Sequence, residues 1–218
     1  VERAKGQVRE GLRYARSVPQ LWMPLVMMAV VGTLAFNFQV VVPLFVTEDL
    51  GGGDQTFTML FSVLSLGSLV GALVVARRTG TTVQRVGASA IIFGVTMAML
   101  AVAPGQTAAS LVAPLVGMAS IAFMTSSTAL VQMEASPEMR GRVLALQAMV
   151  FLGSTPIGGP LIGWISEDLG ARYALVVAAF ACFAAGGWGV FVARRDRVDD
   201  RTATLDQPRR DEAALVGS

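Results

Sequence analysis

Charged residues avoid five long apolar stretches of this 218-residue chain: none occurs in 17–47, 55–76, 86–133, 143–166 or 173–193. The hydrocarbon core of a bilayer is about 30 Å thick, so about 20 helical residues are needed to cross it. Four of the stretches have room for one membrane span each. The stretch 86–133 is 48 residues long and is interrupted by a Pro-Gly pair at 104–105, so it predicts two spans.

This pattern predicts an all-α, polytopic membrane protein with six transmembrane helices, numbered here span 1 to span 6. Their predicted positions are 21–46, 57–76, 86–103, 109–132, 143–165 and 173–193. The six spans form one transmembrane domain over 19–193. Residues 1–18 are predicted to be a helical cytoplasmic linker, and the Arg- and Asp-rich segment 194–218 a disordered cytoplasmic tail.

The distribution of basic residues predicts the orientation of the chain. With both termini on one side of the membrane, that side receives 16 of the 17 Lys and Arg residues, and only Arg172 falls on the other. Cytoplasmic flanks of membrane spans carry an excess of Lys and Arg. Both termini are therefore expected in the cytoplasm. The same rule accounts for the net positive charge of the chain, so a nucleic-acid partner is not needed to explain it.

Composition argues against catalytic chemistry in this chain. Histidine is absent, and the single cysteine, Cys182, lies within span 6, where it is interpreted as a small buried hydrophobe. Zinc sites, disulfides, Cys/His dyads and Ser-His-Asp triads cannot be assembled from these residues. We expect no metal, no cofactor and no enzymatic activity.

Polar side chains are concentrated on spans 1, 4 and 5, whereas spans 3 and 6 carry very few. Polar groups in hydrocarbon are costly unless they face protein or a water-filled cavity. Spans 1, 4 and 5 are therefore expected to be interior, and spans 3 and 6 peripheral. The candidates for a substrate cavity are Thr33, Phe36, Asn37, Thr125, Thr128, Gln132, Gln147 and Phe151. The alternative for each is an interhelical hydrogen bond, worth about 0.6 kcal/mol on average.

Small residues and prolines suggest close helix contacts and a flexible point. Glycines four residues apart allow two helix backbones to approach, and prolines remove a backbone donor and kink helices. The run 153–160 in span 5 predicts a kink or flexing point, with close packing as the alternative. The candidates for these packing and hinge roles are Gly67, Gly71, Gly153, Pro156, Gly159, Pro160 and Gly163.

Four charged residues cluster between spans 4 and 5, at the predicted cytoplasmic surface. Glu134, Glu138, Arg140 and Arg142 are candidates for a gate whose ion pairs exchange partners during a conformational change. The alternative is a solvated loop, where exposed pairs contribute about 0–1 kcal/mol each.

Two regions of the chain resemble bacterial exporters of the major facilitator superfamily. Residues 10–16 and 28–40 resemble the seventh helix of these exporters and the segment that leads into it. Residues 137–143 and 151–163 resemble the eleventh helix and the loop before it. The resemblance extends over 10–193 and is to the enterobactin-exporter type of drug and siderophore efflux proteins. Arg77 and Arg78 match the basic pair of the family's cytoplasmic motif, which makes them gate candidates, but the acidic residue of that motif is missing.

The resemblance implies twelve spans in two six-helix halves, each built as a 3+3 inverted repeat, with the substrate near mid-membrane between the halves. This chain then corresponds to helices 7–12 of a secondary-active efflux transporter in a bacterial cell membrane, working by alternating access. Its expected partners are the lipid bilayer, a small-molecule substrate, and an N-terminal six-helix half or a second copy. No span contains a carboxylate, so an acid that couples transport to protons is expected on the other half.

Alternatives remain open for the extent of the chain and for its function. Val1 falls within what would be the linker between halves, so the chain is an excised piece, a half-size protein or the product of a misplaced start. The alternative function is a non-transporting half-size membrane protein, acting as an assembly partner or a homodimer. The substrate is not predicted beyond small amphipathic molecules.

Overall fold

The computed structural model describes residues 4–77 and 80–216, and its regular structure in this part of the chain is entirely helical. The helices are α1 (Ala4–Ser17), α2 (Pro19–Leu34), α3 (Phe38–Leu44), a π-helical turn (Phe45–Asp49), α4 (Asp54–Ala76), α5 (Val83–Ala101), α6 (Gln106–Glu134), α7 (Pro137–Leu169) and α8 (Ala171–Val216). Six segments are long and apolar enough to cross a membrane. The predicted all-α fold with six spans is therefore confirmed.

The structure differs most from the predicted span limits in two places. Span 1 consists of α2, α3 and the π-helical turn, so it is interrupted at 35–37 instead of running as one helix. Span 5, the helix α7, begins at Pro137, because proline fits the first turn of a helix, where no backbone donor is needed. Spans 2, 3, 4 and 6 are the helices α4, α5, α6 and α8.

The last helix also differs from the predicted tail. Its backbone is helical to Val216, although the membrane-crossing part ends at Arg195. Arg occurs six times and Ala three times in 194–218, and both residues have high helix propensity. Charge excludes the segment from the membrane but does not by itself prevent a helix. Disorder of 194–218 in solution stays a prediction.

The spans are not buried within the chain in the order that the sequence predicts. Within the chain, 50% of the apolar window of span 1 is buried and 44% of the windows of spans 3 and 6, but only 22% for span 2 and 17% for span 5. Span 3 packs extensively against span 6, and span 2 against span 4. Burial within this chain thus does not follow the predicted order of interior spans 1, 4 and 5 and peripheral spans 3 and 6, and which spans face lipid in an assembly stays a prediction.

The physical reason is that hydroxyl groups find partners within their own helix. The Ser154 hydroxyl donates to the Phe151 carbonyl at 2.6 Å, and the Ser166 hydroxyl to the Ile162 carbonyl at 2.8 Å. A serine or threonine that bonds to the preceding turn needs no cover from another helix. A hydroxyl group therefore does not by itself mark a contact between spans.

Glycines set the distance between spans 2 and 4. A Cβ on Gly67 would lie directly on the backbone of Pro114, and a Cβ on Gly117 directly on the Leu64 carbonyl. One on Gly71 would lie 2.7 Å from the Met118 carbonyl oxygen. The two helices thus touch backbone to backbone along the Gly67–Gly71 face.

We predict that Gly67→Ala destabilises the fold because the new methyl group displaces a backbone. Such overpacking costs about 1–3 kcal/mol, which lowers the melting temperature of a chain of this size by roughly 2–10 °C. The matched control is Gly153→Ala, since a Cβ at Gly153 meets no atom within 4 Å. Equal melting temperatures of the two variants in detergent would contradict the proposed contact.

Candidate functional site

Span 1 is interrupted at the position of the best polar candidate, Asn37. The side-chain amide of Asn37 donates to the Thr33 carbonyl at 2.7 Å, taking the acceptor that a continuous helix would offer to the Asn37 backbone N–H. A new helix then starts, with the backbone N–H groups of Val40 and Val41 both bonded to the Asn37 carbonyl at 3.0 Å. Asn37 is 5% exposed. The local sequence therefore supplies the break and part of its own hydrogen bonding.

Span 5 lies against this break through a small residue. A Cβ on Gly158 would lie directly on the Thr33 carbonyl and 3.0 Å from the Asn37 amide nitrogen. One turn earlier, the Ser154 hydroxyl oxygen would be 3.0 Å from a Cβ on Gly32. Non-helical backbone at membrane depth is tolerated only where protein or a cavity covers it. Gly158, which the sequence did not single out, provides this cover.

Aromatic rings continue the same contact. The ring of Phe36, in the break, lies 5.2 Å from that of Phe151 on span 5 and 5.4 Å from that of Phe93 on span 3, centre to centre. Phe38 also lies near Phe36, with ring centres 6.1 Å apart. Phe93 is fully buried, whereas Phe36 and Phe151 are half-buried. The partly accessible pair forms an apolar surface beside Asn37.

Gln147 links span 5 to span 4. Its amide nitrogen donates to the hydroxyl oxygens of Ser127 at 3.2 Å and Thr128 at 3.3 Å. The Thr128 hydroxyl in turn donates to the Met124 carbonyl at 3.0 Å. The Gln147 carbonyl oxygen is buried and has no hydrogen-bond partner in the described structure. A buried acceptor left unpaired is costly, so it marks a place where a donor is expected.

Six of the eight predicted cavity residues therefore lie along one surface, which we call the central seam: Thr33, Phe36, Asn37, Thr128, Gln147 and Phe151. The other two are not joined to it by a contact: Thr125 is half-buried on span 4, and Gln132 is exposed near the C-terminal end of that span. Near Thr33 the surface forms an open depression of about 320 Å³, lined by Ala29, Val30, Thr33 and Leu34.

The predicted hinge in span 5 contains no helix break. α7 is continuous from Pro137 to Leu169, although it contains Pro156 and Pro160. A Cβ on Gly153 or on Gly159 would meet nothing within 4 Å, and one on Gly163 would make an ordinary contact with Val40 at 3.6 Å. Close packing in this run thus occurs at Gly158. A flexing role for the neighbouring residues stays a prediction.

At the corner predicted to be cytoplasmic, the gate candidates do not pair with one another. Arg142 bonds to Glu10 of α1 at 2.8 Å. In the described part of the chain, no ion pair joins Glu134 or Glu138 to Arg140 or Arg142, and these residues other than Arg142 are exposed. Arg77 is also exposed, and Arg78 lies outside the described residues.

The linker helix α1 is docked on this corner. The backbone N–H of Ser136 donates to the Tyr14 hydroxyl oxygen at 3.1 Å, and hydrogen bonding by Ser136 lowers the pKa of the Tyr14 phenol. Ala15 is fully buried among apolar residues of spans 1, 4 and 5. The guanidinium group of Arg16 lies 4.9 Å from the centre of the Trp22 ring. Sequence patterning predicted a linker here but not this contact.

A second ion pair, also missed from the sequence, lies at the opposite end of the bundle. Arg172 at the start of span 6 bonds to Asp49 at the end of span 1, at 3.1 Å. Two signals pointed to it: Arg172 is the lone basic residue expected on that face, and Asp49 lies in the Glu-Asp-Leu-Gly sequence that recurs at 167–170.

The central seam offers neutral hydrogen-bonding groups and aromatic surface. Amides, hydroxyls and phenyl rings bind amphipathic molecules, but they do not supply an acid–base pair or a nucleophile with its base. Among the described residues, no group of three or more Cys, Asp or Glu is arranged to hold a metal ion. The site is suited to binding, and the fold around it is that of a multi-pass membrane protein.

Comparison with known proteins places the chain in a family. A family model described as transmembrane secretion effector, MFS_3, matches residues 1–213. The uncharacterized MFS-type transporter YuxJ of Bacillus subtilis (strain 168) is 31% identical over 186 residues, which are 81% of this chain and 46% of the relative. No solved structure matches with comparable significance. The chain therefore belongs to the MFS transporters, a family of transporters and not of enzymes, and spans about half the length of the curated relative it matches.

We predict that Arg142→Ala loosens α1, because it removes the ion pair with Glu10. Both side chains are partly exposed, so the pair contributes at most about 1 kcal/mol, and amide hydrogen exchange in 4–17 should accelerate by no more than about fivefold. Arg140→Ala is the matched control, because Arg140 is exposed and makes no ion pair in the described structure. Equal acceleration by both variants would mean that the pair does not hold the helix.

Proposed function

We propose that the chain forms the C-terminal half of a secondary-active efflux transporter for small amphipathic molecules, similar to the enterobactin-exporter type. The transporter works by alternating access together with an N-terminal six-helix half. The membrane is a bacterial cell membrane, and both ends of the chain face the cytoplasm. Membership of the MFS transporters and the six spans support this proposal.

The observation that carries the proposal is the composition of the exposed faces. The large side chains exposed on span 3 are Ile92, Val95 and Met99, as expected for a lipid-facing surface. The exposed surface of span 5 also carries large apolar side chains, but it includes the small residue Gly153 and the hydroxylated Thr155 as well. Its exposed large side chains are Met149, Leu152, Ile157, Leu161 and Trp164. Helix–helix interfaces in membranes are enriched in small and hydroxylated residues. The least buried span is therefore best explained as an interface with another protein.

The central seam then becomes one wall of a path between two halves. The Phe36–Phe151 pair contributes an apolar contact surface, and Asn37 and Gln147 contribute hydrogen-bonding groups. This wall contains no carboxylate, so the proton-binding acid of a proton-driven exporter is supplied by the other half. The predicted gate candidates retain a role in which Arg140 and Glu138, exposed here, pair with that half.

A homodimer or an assembly partner would use the same exposed surface of span 5. Mass measurement of the complex purified from cells distinguishes these cases. A complex with an N-terminal six-helix half supports the proposal, and a complex of two copies of this chain supports the alternative.

We predict that the chain transports substrate only when the N-terminal half, which supplies the other wall of the path, is present. Cells producing this chain alone should accumulate ethidium as control cells do, whereas cells producing it with the N-terminal half should accumulate less. Phe151→Ala should reduce this difference, because it removes an aromatic contact from the wall. The control is Val95→Ala on span 3. Energy-dependent export by proteoliposomes containing only this polypeptide would contradict the proposal.

A further inference from the structure

Three contacts of Arg172 join the non-cytoplasmic ends of spans 1, 3 and 6. Its Nε donates to Asp49 Oδ1 at 3.1 Å, and its Nη1 donates to the backbone carbonyl of Ala101 at 2.8 Å. The guanidinium carbon lies 5.5 Å from the centre of the Phe45 ring. We call Phe45, Asp49, Ala101 and Arg172 the outer clasp.

The clasp is costly to open. Ala101 ends α5, so its carbonyl has no acceptor role within that helix, and Arg172 satisfies it. The Asp49 side chain is 19% exposed, and its second oxygen is buried with no hydrogen-bond partner in the described structure. Separating a partly buried, hydrogen-bonded ion pair leaves both charges poorly solvated. The three contacts therefore favour a permanent connection.

The two halves of span 1 have different anchors. The inner half, α2, is held closely by span 5, where a Cβ on Gly158 would lie directly on the Thr33 carbonyl, and it also packs against span 6, where a Cβ on Gly189 would lie 2.8 Å from Met27 Sδ. The outer half, α3 with the π-helical turn, is held to spans 3 and 6 by the clasp. Its contact with span 5 at Val40 is an ordinary van der Waals contact, 3.6 Å from a Cβ on Gly163. The break at 35–37 separates these two regions.

We propose that Asp49 and Arg172 are positioning residues that keep the outer half of span 1 in one rigid body with spans 3 and 6. Conformational change within span 1 is then confined to the break beside Asn37. Neither residue contacts substrate. The consequence for transport rests on the proposed function, whereas the rigid body itself does not.

Distances between spin labels in lipid nanodiscs test the rigid body directly. In a Cys182→Ser background, labels at the exposed positions Thr47 and Tyr173 report on the clasp. We expect one narrow distance distribution, and in Arg172→Gln an additional, longer distance. Arg172→Lys should have a similar effect, because an ammonium group cannot make both hydrogen bonds in the same geometry. Glu167→Gln, an exposed acidic residue at the same end, is the control and should leave the distribution unchanged. An unchanged distribution in Arg172→Gln would overturn the proposal.

A disulfide between the clasp positions separates this proposal from the proposed function. Asp49→Cys with Arg172→Cys, joined to the N-terminal half and oxidised, should still export ethidium, since the clasp stays closed throughout. On reduction, kcat should fall while KM is unchanged, because substrate contacts are intact. Export that is blocked by oxidation and restored by reduction would mean that the clasp opens during transport, which would overturn the proposed rigid body. Absence of export even from the unmodified assembly would instead count against the proposed function and leave the label distances to decide the clasp.

Discussion

The contact between Gly158 and the Thr33 carbonyl holds the central seam together. Lipid offers no hydrogen bonds, so an interrupted helix at membrane depth must be covered by protein or face a cavity. A side chain at Gly158 would separate spans 1 and 5. That separation would expose the break, move Phe151 away from Phe36 and uncover the Asn37 amide. The fit of Thr33 and Asn37 against span 5 thus depends on one residue without a side chain.

The same constraint explains why the chain has two kinds of surface. Spans 3 and 6 bury 44% of their apolar windows and present large apolar side chains such as Val95 and Phe180 outward. Span 5 buries 17% and exposes Thr155 and Pro160 among its apolar residues. A surface of the first kind is stable in hydrocarbon. A surface of the second kind fits the proposed interface with another protein.

Sequence patterning predicted what depends on the exclusion of charge from lipid: six spans and the separation of spans 3 and 4 at the Pro-Gly pair. It also brought Asn37, Gln147 and Phe151 together, because amides and aromatic rings in adjacent polar spans need partners. It could not predict the break at 35–37, which arises when the Asn37 amide takes a backbone acceptor. Nor could it choose Gly158 over Gly159, since that choice depends on the rotation of one helix against another. The Arg172–Asp49 pair joins residues 123 positions apart, so a lone basic residue on that face suggests an ion pair but does not identify its partner.

The central claim is that the seam faces a water-accessible path when a second half completes it. Labelling of a single cysteine with a membrane-impermeant, charged thiol reagent tests this claim most directly. In the assembled transporter lacking Cys182, Thr33→Cys should react, whereas Val95→Cys on the lipid-facing surface of span 3 should not. If Thr33→Cys is as unreactive as Val95→Cys in all conditions of transport, the seam faces lipid or packed protein, and the account is contradicted.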